Sequence, residues 1–497
     1  MPAEATVPVE LRRYANSERP LLICDADRLS YSEASRRSAA LARGLLAVGA
    51  GKGTHIGLLY PNGSAFVVGT LAAARIGAVV VPFSTFSTTG ELRDQLRAAD
   101  IEILLSARAH RANDYVERLA GVPRAQVPCL RHVYFDNDEL VALGDQTDDA
   151  LLVAAEDDVD GSDPLAIIYT SGSTGPPKGA VHTQGSLLGH QRSLNKIRAL
   201  TAQDRLFCNS PFFWIGGFAF ALTATLVAGS TLICSNATDP GAILDLLESE
   251  KPTVTNGFAA GVAALARHPS FAHRDLSSMR RGNLYPIMSP DCRPADPELR
   301  HNMLGMTEAG SVVLLSGDES DQPESRRGSY GKLAPGFEAE LLDTGELCLR
   351  GPYLMQRYYG RSREECFDAD GWFHTGDLFR VDADGFYYFL GRAGAMIKTA
   401  GANVSPAEVE RALAEVLAGA AAFVIGLPDT ERGQVVAAVL ALDDPSSFDA
   451  SAVRAQLRTR LSAYKIPRRF AVVSRSDVPL RSSGKIDLPA LAALFEG

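Results

Sequence analysis

The sequence predicts an α/β protein of two domains: a large N-terminal one of helix-covered sheets (residues 1–391) and a small α+β one (residues 392–497). Three observations predict it. Helical and strand-like patterns alternate between residues 30 and 105, the grammar of a mostly parallel sheet covered by helices. At 497 residues the chain exceeds a single hydrophobic core. Beyond Gly391-Arg392 the pattern becomes helix, strand, strand, helix and strand, a compact unit of its own.

The elements follow in order. "YSEASRRSAALARGLLAVGAGKG" carries apolar residues at helical spacing and stops in glycines. "THIGLLY" and "GAVVVPF" read as buried strands, with "AFVVGTLAAARI" as the helix between them. "TGELRDQLRAAD" and "IEILLS" repeat helix then strand. Residues 140–162 are acidic and polar, and read as a surface connection into the apolar run Leu165–Ile168. Residues 316–331 read as a second polar loop. "FEAELLD", "GELCLRG" and "GFYYFLG" then read as β-structure, with Asp-Gly hairpin signals in "ADGWF" and "DADGFYY". The small domain comprises "SPAEVERALAEVL", "AAAFVIGL", "QVVAAVLAL", "DASAVRAQLRTRL" and "RRFAVVS".

Composition narrows the function. A formal charge of −10 argues against a general nucleic-acid grip, which needs a basic face. It leaves room for a small anion held by a few local cations. The seven cysteines are scattered, with no C-x-x-C pair, so no zinc or disulfide framework is expected. Buried cytosolic thiols and a cytoplasmic location are the expectation. "MPAEATVPVELRRY" lacks the apolar core of a signal peptide. "IGGFAFALTATLVAGSTLIC" has the length of a membrane span, but Ala228-Gly229-Ser230 interrupts it and "TLIC" reads as a strand. A buried helix, turn and strand are expected, with no membrane span.

The stretch "YTSGSTGPPKGA" (169–180) carries the chemistry. It follows an apolar strand with almost no bulk and precedes a helix-like segment. Gly172 and Gly175 let backbone N–H groups approach a phosphate, Thr170, Ser171, Ser173 and Thr174 add hydroxyls, and Lys178 adds charge. Pro177 precedes the lysine, so this is not a Walker A loop.

"YTSGSTGPPKG" resembles the signature loop of the adenylate-forming superfamily, which includes acyl- and aryl-CoA synthetases. "GMTE" (305–308), "GELCLRG" (345–351), "HTGDL" (374–378), "GRAGAMIKTAGANVSPAEVE" (391–410) and "SSGKI" (482–486) follow in that family's order. The resemblance implies a large domain with a small β-barrel-like part and a mobile C-terminal domain. It implies ATP as cosubstrate, with Thr307 on the α-phosphate, Gly305 beside it, and Glu308 on Mg2+, a hard-cation role suited to carboxylate. By the same resemblance Asp377 accepts the ribose hydroxyls, Arg392 and Lys398 reach ribose, phosphate or adenylate, and Lys485 bridges the substrate carboxylate and the α-phosphate. The candidate catalytic residues are therefore Lys485, Thr307 and Glu308. In the family the C-terminal domain then rotates, and the loop at Gly401 and Ala402 lines a tunnel for the pantetheine arm of CoA. Phe213, Trp214, Gly217 and Phe258 are the candidate acid pocket.

The chain departs from the family pattern in four places. Leu304 stands where an aromatic residue usually stacks on adenine, and Trp214 where many acyl-CoA synthetases have histidine. Residues 285–303 are proline-rich and lack the usual glycine-rich segment. Gly394 and Ala395 replace the polar hinge residues. The expected activity is activation of a small-molecule carboxylic acid as its adenylate, with pyrophosphate release, then transfer to CoA. The same residues leave open loading of a carrier protein, or a diazotase that activates nitrite for an arylamine. A nucleotide-binding protein without turnover would not need Lys485, Thr307 and Glu308 together.

Overall fold

The computed structural model describes residues 5–170, 177–392, 397–417, 420–479 and 488–495. Among these, two mostly parallel sheets form the centre of the large domain. One runs in the order Arg281–Gly282, Val254–Asn256, Arg205–Cys208, Thr231–Cys234, Pro20–Cys24 and Asp27–Ser30. The other runs Arg357–Tyr358, Lys178–Thr183, Pro164–Thr170, Val79–Pro82, His55–Leu59, Ile103–Ser106 and His132–Tyr134. Pairing within the second sheet is parallel from Pro164–Thr170 onward and antiparallel at the end that carries Lys178. The helices Tyr31–Ala47, Ser64–Arg75 and Thr89–Ala98 lie where the apolar periodicity predicts them. Ser30 caps the first by accepting from the Glu33 N–H at 3.1 Å.

Residues 206–234 form strand, helix, turn and strand, and Gly229 makes the turn at φ 68°. The helix carries a π-helical stretch, Phe218–Thr223, directly after the Trp214 segment. Among the described residues no helix is long and apolar enough to cross a membrane. Of the seven free cysteines, Cys24, Cys208, Cys234 and Cys348 are buried.

Two expectations need correction. Residues 140–162 are not a plain surface connection: most of them lie in the helices Asn137–Gly144 and Asp149–Asp157. Two acidic groups there do structural work: Asp148 is an N-cap, and Glu156 is buried against Arg75 at 2.5 Å. Removing one partner of such a pair costs about 3–5 kcal/mol, because the other charge stays buried. The glycine-rich loop likewise does not lead into a helix. It joins two antiparallel strands, and the helix Gln184–Ile197 starts only after the second.

Residues 304–392 build two small antiparallel sheets, of three and four strands, linked by a bridge between Ser329 and Tyr388. The Asp-Gly signal at 384–385 is a true hairpin between Phe373–Val381 and Tyr387–Arg392. That at 370–371 makes the same local turn without a strand before it, with Asp368 N–H donating to Trp372 C=O at 3.0 Å. The small domain's sheet joins Ala402–Val404, Ile397–Thr399, Gly433–Leu442, Ala421–Asp429 and Arg469–Ser474, with helices Pro406–Val416 and Ala450–Leu457. Val404, Val409, Leu413, Val436 and Leu457 form part of its separate core.

Candidate active site

On either side of residues 171–176 the strands Pro164–Thr170 and Lys178–Thr183 pair antiparallel, Thr170 opposite Lys178 and Tyr169 opposite Gly179. Ser171, Gly172, Ser173, Thr174 and Gly175 lie outside the described residues, as do Gly394, Ala395 and Lys485. Strand pairing places Tyr358 beside Ala180, one strand further out. The Lys178 ammonium sits over the Tyr358 ring, 5.1 Å from its centre.

Tyr358 then reaches the "GMTE" turn. Its hydroxyl donates to Glu308 Oε1 at 2.6 Å, and the Met355 N–H donates to the Glu308 C=O at 2.7 Å. Burial, then the Glu308 charge, pushes the Tyr358 phenol well up, so it remains a donor. From the other side, His182 Nε2 is 2.7 Å from the Thr307 carbonyl. A carbonyl only accepts, so the proton is on Nε2. Burial lowers the His182 pKa to about 4, and the ring is neutral at pH 7. The turn Thr307–Ala309 ends at Gly310, φ 66°, where only a residue without Cβ is comfortable. Gly305 is exposed on the short strand leading into this turn, while Leu304 is buried. Leu304 thus packs into the core of the small sheets.

Asp377 is buried in the strand Phe373–Val381 and pairs, by backbone register, with Arg392. The Arg392 side chain lies outside what is described. Lys398 opens the small domain's first hairpin; its N–H donates to Gln434 Oε1 at 2.8 Å, and its ammonium is 5.6 Å from the centre of the Phe389 ring in the large domain. The hairpin Ile397–Thr399/Ala402–Val404 turns through Ala400 and Gly401, both left-handed at φ 48° and 83°. A Cβ at Gly401 would collide with the Phe258 ring, so the hairpin tip rests on the large domain. Ala402 is buried beside it.

Phe258 belongs to a string of aromatic rings. It meets Trp214 edge-on at 5.9 Å, Trp214 meets Phe213 at 5.6 Å, and Phe213 meets Phe86 at 5.8 Å. Asn209 clamps the Phe258 backbone, donating to its C=O and accepting from its N–H, each at 2.9 Å. Gly217 packs against the Pro211 carbonyl, so its lack of a side chain serves the turn that presents Trp214. The structure therefore gathers Lys178, Thr307 and Glu308 into one cluster, and Phe213, Trp214, Phe258 and Gly401 into another. Residue-by-residue reading missed Tyr358, His182 and Asn209. Each acts through a partner 49 or more positions away, and no local spacing announces it.

The chain belongs to the AMP-binding enzyme family, whose description matches residues 10–359, with the family's C-terminal domain at 408–485. It is 34% identical over 479 residues to a feruloyl-CoA synthase from an Amycolatopsis species, covering 92% of each chain. It is 32% identical over 507 residues to the 3-[(3aS,4S,7aS)-7a-methyl-1,5-dioxo-octahydro-1H-inden-4-yl]propanoyl:CoA ligase of Mycobacterium tuberculosis, covering 98% and 99%. Among solved structures it resembles a double mutant of the o-succinylbenzoate CoA synthetase of Bacillus subtilis bound to a product analogue, with TM-score 0.78, 25% identity, and 97% and 98% coverage.

Proposed function

We propose that the chain is an ATP-dependent acid:CoA ligase. It converts a carboxylic acid and ATP into an acyl adenylate and pyrophosphate, then passes the acyl group to the thiol of CoA, releasing AMP. The observation that carries this reading is the pair of clusters. One backs the phosphate hairpin with Thr307 and Glu308. The other sets the Gly401 hairpin of the small domain against the Phe258 ring, which supports that end of the aromatic string as the point where a thiol arrives.

In this reading Thr170–Gly175, Lys178 and Gly305 surround the phosphates, and Asp377 and Arg392 take the ribose. Lys398 faces the adenylate, and Lys485 supplies the cation at the phosphorus during activation. A carboxylate is a poor electrophile because its charge repels nucleophiles. Fixed cations let two anions meet and stabilise charge building on phosphorus oxygens. Glu308 fits Mg2+: Oε1 is held by Tyr358, and among the described residues Oε2 has no hydrogen-bond partner. A bound Mg2+ would neutralise phosphate charge there. The acid pocket comprises Phe213, Trp214 and Phe258, with Gly217 behind them; edge-on rings suit a flat, apolar acid. The feruloyl-CoA synthase among the relatives supports an aromatic one. Gly401 and Ala402 line the path of the pantetheine arm.

The strand Tyr387–Arg392 belongs to a large-domain sheet and Ile397–Thr399 to the small domain's sheet, which supports a boundary near Gly391-Arg392 and a pivot there. The test is pyrophosphate release by purified protein across a panel of acids, with and without CoA, a carrier protein, or nitrite plus an aminobenzoate. Acid-dependent release that yields a CoA thioester supports the proposal. Release that needs nitrite and consumes no CoA, or acylates only the carrier, replaces it with one of those reactions.

A further inference from the structure

One buried group of charges lies outside both clusters and joins the two domains. Glu91 sits in the first turn of the helix Thr89–Ala98, where it accepts from the Thr88 N–H at 2.9 Å and completes a capping box. The same carboxylate accepts from the small domain: from Ser462 Oγ at 2.7 Å, from the Ser462 N–H at 3.2 Å, and from Lys465 Nζ at 3.1 Å. Lys465 Nζ is also 2.8 Å from Glu408, in the first turn of the small domain's own helix. The three side chains are largely removed from water, at 8% exposure for Lys465, 17% for Glu91 and 11% for Glu408. Beside them Tyr464 meets Phe86, the end of the aromatic string, at 6.3 Å.

The capping box accounts for Thr88 alone. It does not require three donors from another domain, and a charge leaves water only where it is paired. Burial opposes the charge on Glu91, and Lys465 together with the hydrogen bonds from Thr88 and Ser462 outweighs it, so the carboxyl lies below its usual range. Lys465 keeps Glu408 whichever way the small domain is turned, because both belong to that domain. Glu91 is thus the partner that docking adds, and swinging the domain away breaks its contacts to Ser462 and Lys465.

We propose that Glu91 is a positioning residue: it latches the small domain in the arrangement that sets Gly401 on Phe258, and so favours acyl transfer to the thiol over acid activation. This rests on the two-step reading above. Glu91→Gln in the full chain keeps an oxygen for Thr88 and removes the charge. Hydrogen exchange in residues 84–92 and 460–468 of the apo protein is expected to speed up. Thioester formation from a supplied acyl adenylate and CoA should slow roughly tenfold, while acid-dependent pyrophosphate release stays within about twofold. Ser462→Ala should move both readouts in the same direction by less. Unchanged exchange, or an equal loss in both half-reactions, would overturn the latch. Failure of the wild-type chain to make any thioester overturns the ligase reading instead, and the exchange comparison still decides whether Glu91 holds the domains.

Discussion

The Thr307–Ala309 turn, as the floor of one cluster, and the small domain that covers the aromatic string are held by different means. The floor is tied from within. His182 on one strand and Tyr358 on the next fix the backbone of Thr307 and the carboxylate of Glu308 at 2.7 and 2.6 Å. The cover rests on ring faces, on one glycine at the Phe258 ring, and on the Glu91 carboxylate. The first set lies wholly within the large domain, whereas the second joins two domains that each have a core of their own. A site that activates an acid and then exchanges the acceptor needs both kinds of attachment.

The largest break in this comparison is expected from Lys485→Ala. On the reading that Lys485 supplies the cation for the charge building on the phosphate oxygens, acid-dependent pyrophosphate release should fall roughly 10²–10³-fold. Thioester formation from supplied adenylate should persist, and parallel loss in both would show that the steps do not divide between floor and cover. Next comes Tyr358→Phe, which keeps the ring under Lys178 but frees Glu308. Adenylation should drop about tenfold and require more Mg2+ for half-maximal rate. A magnesium titration superimposable on wild type would remove Tyr358 from the floor. Gly401→Val acts on the cover. A side chain strained at φ 83° and pressed on Phe258 should slow acyl transfer about fivefold and leave pyrophosphate release alone.

The smallest effect concerns acid. Burial lowers His182 to about 4 and His190 to about 3, from an ordinary value of 6.5. The unfolded chain therefore binds protons first, so stability is complete above pH 6.5 and is lost as pH falls toward those values. By pH 5.5 each ring should cost about 1 kcal/mol. Melting temperatures between pH 7.5 and 5.5 should slope less in His190→Gln; equal slopes would mean that this ring is not buried neutral.

Much of this molecule is legible in its sequence because the relevant signals are local. The alternation from Tyr31 to Ser106 and the helix and strands after Ser405 rest on periodicity within single elements. The Asp-Gly turn at 384–385 rests on two residues. The glycine loop is recognisable for its lack of bulk, but its setting is not. "KGAVHT" is a short mixed run that periodicity cannot assign, and it is the strand that separates loop from helix. Residues 140–162 looked like surface because charge usually is; Glu156 is buried only because Arg75 arrives from a distant helix. Tyr358, Asn209 and Glu91 are equally hidden, the last meeting Lys465 across 374 positions. Which ring or carboxylate a residue meets is a property of tertiary packing, and no spacing reports it.

Activation of an acid through its adenylate and its transfer to a thiol are tested together by a product count from ATP, acid and CoA in a single reaction. AMP, pyrophosphate and acyl thioester should appear in equal amounts, each requiring the acid. ADP and orthophosphate in their place, or pyrophosphate formed equally well without acid, would contradict it.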